Sequence, residues 1–204
     1  TEMVRKMNKI ILVLFFGCLL STVLSQREPK CICNKNYKCF LYNFNTTESF
    51  NIIWDFGIFC KTSNWQYNVN SIEIQNSSLN EVPGVLLKNF YLLSTLTIKN
   101  AGIKTFNNQQ FEVVKNYFTT LDLSYNEITE LQKNQFEQIT NIEKIDLSHN
   151  MIELIDDDAF LIKNERVELT IDLSFNQIKI FNREWFLKSR FDHGININLS
   201  FNKI

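Results

Sequence analysis

Four cysteines carry the most reactive groups near the start of the chain: Cys31, Cys33, Cys39 and Cys60. In an oxidising compartment an even set implies two disulfides, and three connectivities are open. Cys31 and Cys33 stand two apart, so a bond between them would be strained, and each has Cys39 or Cys60 as its better partner. Zinc binding is the other chemistry open to four thiolates, but no histidine lies nearby and an oxidising compartment disfavours it. The two histidines, His149 and His193, lie far apart in the sequence. An Asp146–His149 pair would need a nucleophile beside it, and none is arranged there. Glycine-rich phosphate loops and the G-x-S-x-G motif are both missing. The acidic run Asp156-Asp157-Asp158 lacks the longer alternation of a calcium loop. It reads as a solvated turn, with Asp156 capping the turn before Phe160. Asn45-Thr46-Thr47, Asn76-Ser77-Ser78 and Asn198-Leu199-Ser200 fit the N-glycosylation pattern. These residues imply no catalytic or metal site and no cofactor.

A leader precedes the cysteines. Arg5, Lys6 and Lys9 form a positive end, Ile10 to Leu20 an apolar run, and Val23 and Ser25 a cleavage site before Gln26. Residues 1–25 therefore read as a secretory signal peptide. The apolar run is shorter than the roughly 20 residues that span a bilayer. Cys18 leaves with this segment, and the mature chain is expected outside the cell. The sequence has 204 residues, 45% of them apolar, enough for one large domain with a sizeable core. A net charge of −1 gives no basic face for nucleic acid.

The remainder repeats itself. Apolar starts recur at Ile72, Leu96, Leu121, Ile145, Ile171 and Ile197, 24 to 26 residues apart. Openings read LDLSYNEI from Leu121, IDLSHNMI from Ile145, IDLSFNQI from Ile171 and INLSFNKI from Ile197. Alternation in Leu121-Asp122-Leu123 predicts a strand with one buried face. Asn126 follows as a turn residue whose amide bonds its own backbone and a neighbouring coil's. Ile128 and Leu131 turn back inward. Leu87, Phe111, Phe136, Phe160 and Phe186 stand fifteen residues after their starts and predict a stacked spine on the outer side. A single coil cannot bury its apolar face alone, so the coils must stack.

At these residues the chain resembles the extracellular leucine-rich repeat family, of the kind found in animal receptor and adhesion proteins. The resemblance covers about two thirds of the sequence. It implies an α/β-type solenoid: a curved horseshoe with a parallel β-sheet on the concave face and an irregular or short-helical convex side. It also implies a cysteine-bearing N-terminal cap over residues 26–71, with Cys31 paired to Cys39 and Cys33 to Cys60. Residues 72–204 then hold five complete repeats and one truncated at Ile204. More repeats, a cap or a membrane anchor are expected beyond it, and membrane attachment could come only from there. Early repeats depart from the pattern: Ser77 and Ala101 occupy the asparagine place, so the amide ladder is expected to begin at Asn126. The longer repeats from Ile145 and Ile171 are expected to carry outward insertions, with a local shift where Glu168 replaces an apolar residue.

Alternation also predicts the concave face. One column holds Glu73, Thr97, Asp122, Asp146, Asp172 and Asn198, and a second Gln75, Lys99, Ser124, Ser148, Ser174 and Ser200. A third, just before the turn, holds Asn76, Asn100, Tyr125, His149, Phe175 and Phe201. An acidic, a hydroxyl and an aromatic column should thus line the sheet, with the row of rings as the strongest mark of a contact surface. A glycan on Asn76 or Asn198 would hinder a partner there. The expected function is binding of another protein or extracellular ligand, as part of a receptor or adhesion ectodomain. The alternatives are a soluble secreted immune or matrix factor and an accessory repeat domain of a longer enzyme.

Overall fold

The computed structural model describes residues 30–34, 36–43, 69–87, 90–114, 116–164, 168–191 and 193–204. The signal-peptide segment, Asn45 and Cys60 lie outside them. Among the described residues there are twelve strands: β1 (Lys30–Cys33), β2 (Lys38–Tyr42), β3 (Ser71–Gln75), β4 (Thr95–Lys99), β5 (Thr120–Asp122), β6 (Glu130–Leu131), β7 (Lys144–Asp146), β8 (Leu154–Ile155), β9 (Lys163–Asn164), β10 (Leu169–Asp172), β11 (Arg190–Phe191) and β12 (Ile195–Asn198). One α-helical turn, α1 (Gly84–Leu87), and 3₁₀ turns at Asn108–Phe111 and Arg183–Phe186 lie between strands.

Eight strands make one sheet in the order β1-β2-β3-β4-β5-β7-β10-β12. All neighbours are parallel except the β1–β2 hairpin. The six predicted starts lie side by side: Ile72 faces Leu96, then Leu121, Ile145, Ile171 and Ile197. This is the leucine-rich repeat solenoid that the resemblance implied. The sheet begins before those starts, because Cys39 and Leu41 of β2 take the register of Ile72 and Ile74. One apolar cluster runs unbroken from Cys39 to Trp185.

The shift at Glu168 is present. Val69, Leu93, Phe118 and Ile142, each three residues before a start, are buried. In the next coil Leu169 fills that inward place and Glu168 stays in water. The longer repeats carry their extra residues after Phe160 and Phe186, where β9 and β11 pair as a separate parallel ladder.

Asparagine amides tie the coils. Asn126 Nδ2 donates to Ile98 O (2.7 Å) in the preceding coil and to Leu123 O in its own, while Oδ1 accepts from Ala101 N (3.1 Å) and Ile103 N. Asn150, Asn176 and Asn202 repeat the arrangement. The ladder begins at Asn126, as expected from Ala101. Burying polar backbone inside a coil would cost free energy without such partners.

Three expectations need correction. Cys39 is bonded to Cys33 rather than Cys31, with a sulfur–sulfur distance of 2.04 Å. The hairpin sets Cys33 directly opposite Cys39, with their Cα atoms 4.0 Å apart. Stacking in the spine is continuous only from Phe136 through Phe160 to Phe186, at 5.1 Å between successive rings. Phe106 is wedged between Phe111 and Phe136 and interrupts the column. The acidic run is not wholly solvated: Asp156 and Asp157 are exposed, but Asp158 is buried and paired with Lys188 Nζ at 2.8 Å. Its carboxyl lies below the usual range because Lys188 donates a hydrogen bond to it. Asp156 does not cap its own turn; its Oδ2 accepts from Lys133 N in the preceding coil.

Candidate functional site: the sheet floor and its aromatic rim

Each strand of the later coils ends in one local device. Asp122 Oδ1 accepts from the N–H (3.1 Å) and the hydroxyl (2.7 Å) of Ser124. Asp146 with Ser148 and Asp172 with Ser174 repeat it. A short acidic side chain that bonds backbone two residues on stops a strand and starts a turn. The middle of the expected hydroxyl column is therefore closed: Ser124, Ser148 and Ser174 are buried and spend their hydroxyls on the carboxylates, while Ser200 stays exposed.

The acidic column is closed too. Asp122 Oδ2 pairs with Lys99 at 2.8 Å, Asp146 Oδ2 with Lys144 at 3.7 Å, and Asp172 Oδ2 accepts from Asn198 Nδ2 at 3.1 Å. Burial opposes ionisation of Asp172, but hydrogen bonds from Ser174 and Asn198, with Lys144 nearby, outweigh it and hold the carboxyl below its ordinary value. Burial likewise works against the charge on Lys99, yet Asp122 raises its pKa, helped by Asp146 and Glu73. At the other end of the floor Lys38 pairs with Glu73 at 2.8 Å. The floor is a self-neutralised layer of partnered charges.

The third column is different. Asn43, Asn76, Asn100, Tyr125, His149, Phe175 and Phe201 all hold left-handed backbone, with φ between 48° and 59°. Side chains rarely adopt this conformation, and asparagine tolerates it best. The first three coils use asparagine and the last four use rings. Tyr125, His149, Phe175 and Phe201 stack in one column, with centroids 4.1, 4.2 and 4.2 Å apart and planes within 11°. The conformation turns these residues off the floor and onto its rim, where Tyr125, Phe175 and Phe201 are exposed. The imagined Asp146–His149 pair does not form, because Asp146 serves Ser148 and His149 lies between two rings.

Sequence reading missed what lies beyond the rim. Met151 is two residues past His149, and Leu154 and Ile180 are five past His149 and Phe175. Their exposures are 39%, 63% and 74%, high for large aliphatic side chains. The signal was available: apolar residues occupy outward places filled by Glu127 and Glu130 in the coil before. Leu154 also walls an open depression of about 370 Å³ with Glu130, Gln132 and Asp156.

Two of the three glycosylation candidates, Asn76 and Asn198, fall on the sheet side, and Asn45 lies outside the described residues. Asn76 directly follows β3 with an exposed side chain. Asn198 stands on the floor, donating to Asp172 and accepting from Ser200 N at 3.1 Å.

A family model agrees with the repeat architecture of the middle coils. The leucine rich repeat family model matches residues 117–161, the two coils that bring Tyr125 and His149 together. No curated protein matches. Among solved structures, the crystal structure of a TLR13–ssRNA13 complex matches at 20% identity with a TM-score of 0.48. That match covers 67% of this chain and 22% of the other, so the chain spans less than a quarter of that neighbour's length. By register, coil length and repeat match, the fold is a leucine-rich repeat solenoid.

Proposed function

We propose that this chain is an extracellular binding module, the ligand-recognition part of a receptor or adhesion ectodomain, and that it engages another protein through the aromatic rim of its concave face. The reading takes residues 1–25 as a secretory signal and the work of the module as binding rather than catalysis. One observation carries it. Rings occupy left-handed positions where the same chain, three times over, uses asparagine. Non-glycine residues in that conformation cost about 1–2 kcal/mol each relative to ordinary backbone. Stacking returns about 0.5–1.5 kcal/mol per aromatic pair. The backbone cost thus offsets about what the stacking returns, while the rings leave a contiguous aromatic surface in water, and aromatic residues dominate binding energy at protein interfaces. The floor supports the rim as the contact: the carboxylates of Asp122, Asp146 and Asp172 and the hydroxyls of Ser124, Ser148 and Ser174 already have partners.

Secretion is tested by expressing the whole chain in animal cells. The reading expects protein in the medium or on the surface, with an N-terminus near Gln26. Binding is tested by screening the chain, as a multimer, against displayed ectodomains. At least one partner should be recovered that no longer binds a Phe175→Asn, Tyr125→Asn double variant. Partners that bind parent and variant alike would refute the rim as the site.

A further inference from the structure

The concave face carries rings in two places. One is the rim ladder from Tyr125 to Phe201. The other lies at the early end of the floor, where Phe40 and Tyr42 of β2 stand in register with Glu73 and Gln75 of β3. These two rings are half-buried and nearly parallel, 6.4 Å apart, with Lys38 Nζ 4.9 Å from the centre of Phe40. Asn76 stands beside them, one residue past the Gln75 that faces Tyr42. It opens the acceptor triplet Asn76-Ser77-Ser78, in which Asn76 and Ser78 are both exposed. Left-handed backbone, at φ 48°, turns its side chain off the floor. Its amide has no hydrogen-bond partner among the described residues. Asn198, the other described acceptor, stands in β12 with its amide engaged at both ends: Nδ2 donates to Asp172 Oδ2 and Oδ1 accepts from Ser200 N, each at 3.1 Å.

We propose that Asn76 carries an N-linked oligosaccharide, and that this sugar covers Phe40 and Tyr42 and leaves the later rim as the open contact surface. The proposal rests on the reading of the chain as secreted, because that route supplies the donor, an oligosaccharide carried on a polyprenyl diphosphate. In the transfer, Asn76 Nδ2 forms a bond to the anomeric carbon of the sugar. The bond from that carbon to the diphosphate oxygen breaks, and the amide proton leaves with the polyprenyl diphosphate. Nothing is oxidised or reduced. An N-linked sugar is bulky and keeps to the surface. At Asn76 the fold accepts one without giving up a contact among the described residues. At Asn198 it would seat the sugar on the floor, against a carboxylate that the same amide helps to keep ionised. Spacing then divides the face. Tyr42 lies one coil from Asn76, about 5 Å at the strand separation, whereas Phe175 lies four coils away, about 19 Å. The sugar therefore sits over the first pair of rings and reaches the later ladder last.

The whole chain is expressed in animal cells, and the secreted protein is treated with peptide-N-glycosidase, which leaves an aspartate wherever it removes a sugar. The proposal expects a loss of mass on treatment and conversion of Asn76 in the peptide map. Asn76→Gln and Ser78→Ala, two independent ways to break the triplet, should each remove the same mass from the secreted protein. Hydroxyl-radical labelling then compares the parent with Asn76→Gln. Phe40 and Tyr42 should be labelled more slowly in the parent, and Phe175 equally in both. A secreted chain with Asn76 unmodified, whether or not Asn45 or Asn198 carries sugar, overturns the proposal and leaves the extracellular reading standing. A chain found neither in the medium nor on the cell surface overturns both. Equal labelling of Phe40 and Tyr42 in parent and variant, or slower labelling of Phe175 in the parent, overturns the division of the face.

Discussion

Phe175 lies flat on His149, with ring centroids 4.2 Å apart and planes 9° from parallel, and both residues hold left-handed backbone. The pair shows how one solenoid serves two demands. Below the rings, each coil is locked to the next by buried amides, carboxylates and apolar side chains. At the rim, the same coils hold rings in a conformation that the backbone does not favour.

The amide ladder should be the least replaceable polar feature. Asn150 accepts from Ile128 N and donates to Leu123 O and Leu147 O, and it is buried. Asn150→Ala would leave one N–H and two carbonyls without these partners. Each unsatisfied buried group costs about 1–3 kcal/mol. A loss of at least about 3 kcal/mol is expected in urea unfolding. A loss below about 1 kcal/mol would mean that water or a shifted coil replaces the amide.

A second ladder lies on the convex side. Gln110 Nε2 donates to Val82 O at 2.8 Å, and Gln135 Nε2 donates to Phe106 O, each reaching back one coil. Gln135 is buried, and its Oε1 also accepts from Gln132 N at 3.0 Å. Gln135→Ala should cost about 2 kcal/mol, from the orphaned carbonyl and the void. Thermal unfolding checks this, with the exposed Gln109→Ala as the control.

Acid should loosen the sheet floor. The folded Asp172 carboxyl lies below its ordinary value, so the ionised form is the one the fold stabilises. That contribution is present in full above the unfolded value of about 3.9 and is lost as pH falls through the lower folded value. Asp172→Asn should therefore flatten the fall in stability below about pH 4. The substitution copies Asn198, which stands in the same column one coil later. Unfolding midpoints of parent and variant between neutral pH and pH 3 decide it; parallel curves would contradict the assignment.

The Cys33–Cys39 bond closes a short loop, with a sequence separation of 6. For a loop of that size the chain-entropy contribution is about 2 kcal/mol. Cys33→Ser should lower stability by about that amount under oxidising conditions and by nothing after full reduction, as measured by urea unfolding with and without reductant.

The sequence made the solenoid legible because its period is strong and local. Ile72, Leu96, Leu121, Ile145, Ile171 and Ile197 recur at that period, and their register follows from burying one face of each strand. Asn126 was legible as a ladder residue because Ala101 could not be one. What depends on the backbone was harder to see. Alternation placed Ser124 on the open face, but Asp122 two residues earlier captures its hydroxyl and buries it. Tyr125, His149 and Phe175 were found as a column, yet nothing in their types announces left-handed backbone. The signal was in Asn43, Asn76 and Asn100 at the same place in earlier coils. Ala159 and Trp185 hid the glutamine ladder, since only Gln110 and Gln135 precede their phenylalanines. The cysteine pairing was carried from the resemblance, and a local hairpin overrode it.

The most direct test of the central claim is equilibrium unfolding of a Tyr125→Asn, His149→Asn, Phe175→Asn triple variant, which gives the later rim the residue used by the earlier coils. If the rings serve binding rather than folding, the free energy of unfolding should stay within about 1 kcal/mol of the parent, with an unchanged dependence on urea. A loss of about 3 kcal/mol or more would contradict the account, because the stacked rings would then be part of what holds the coils together.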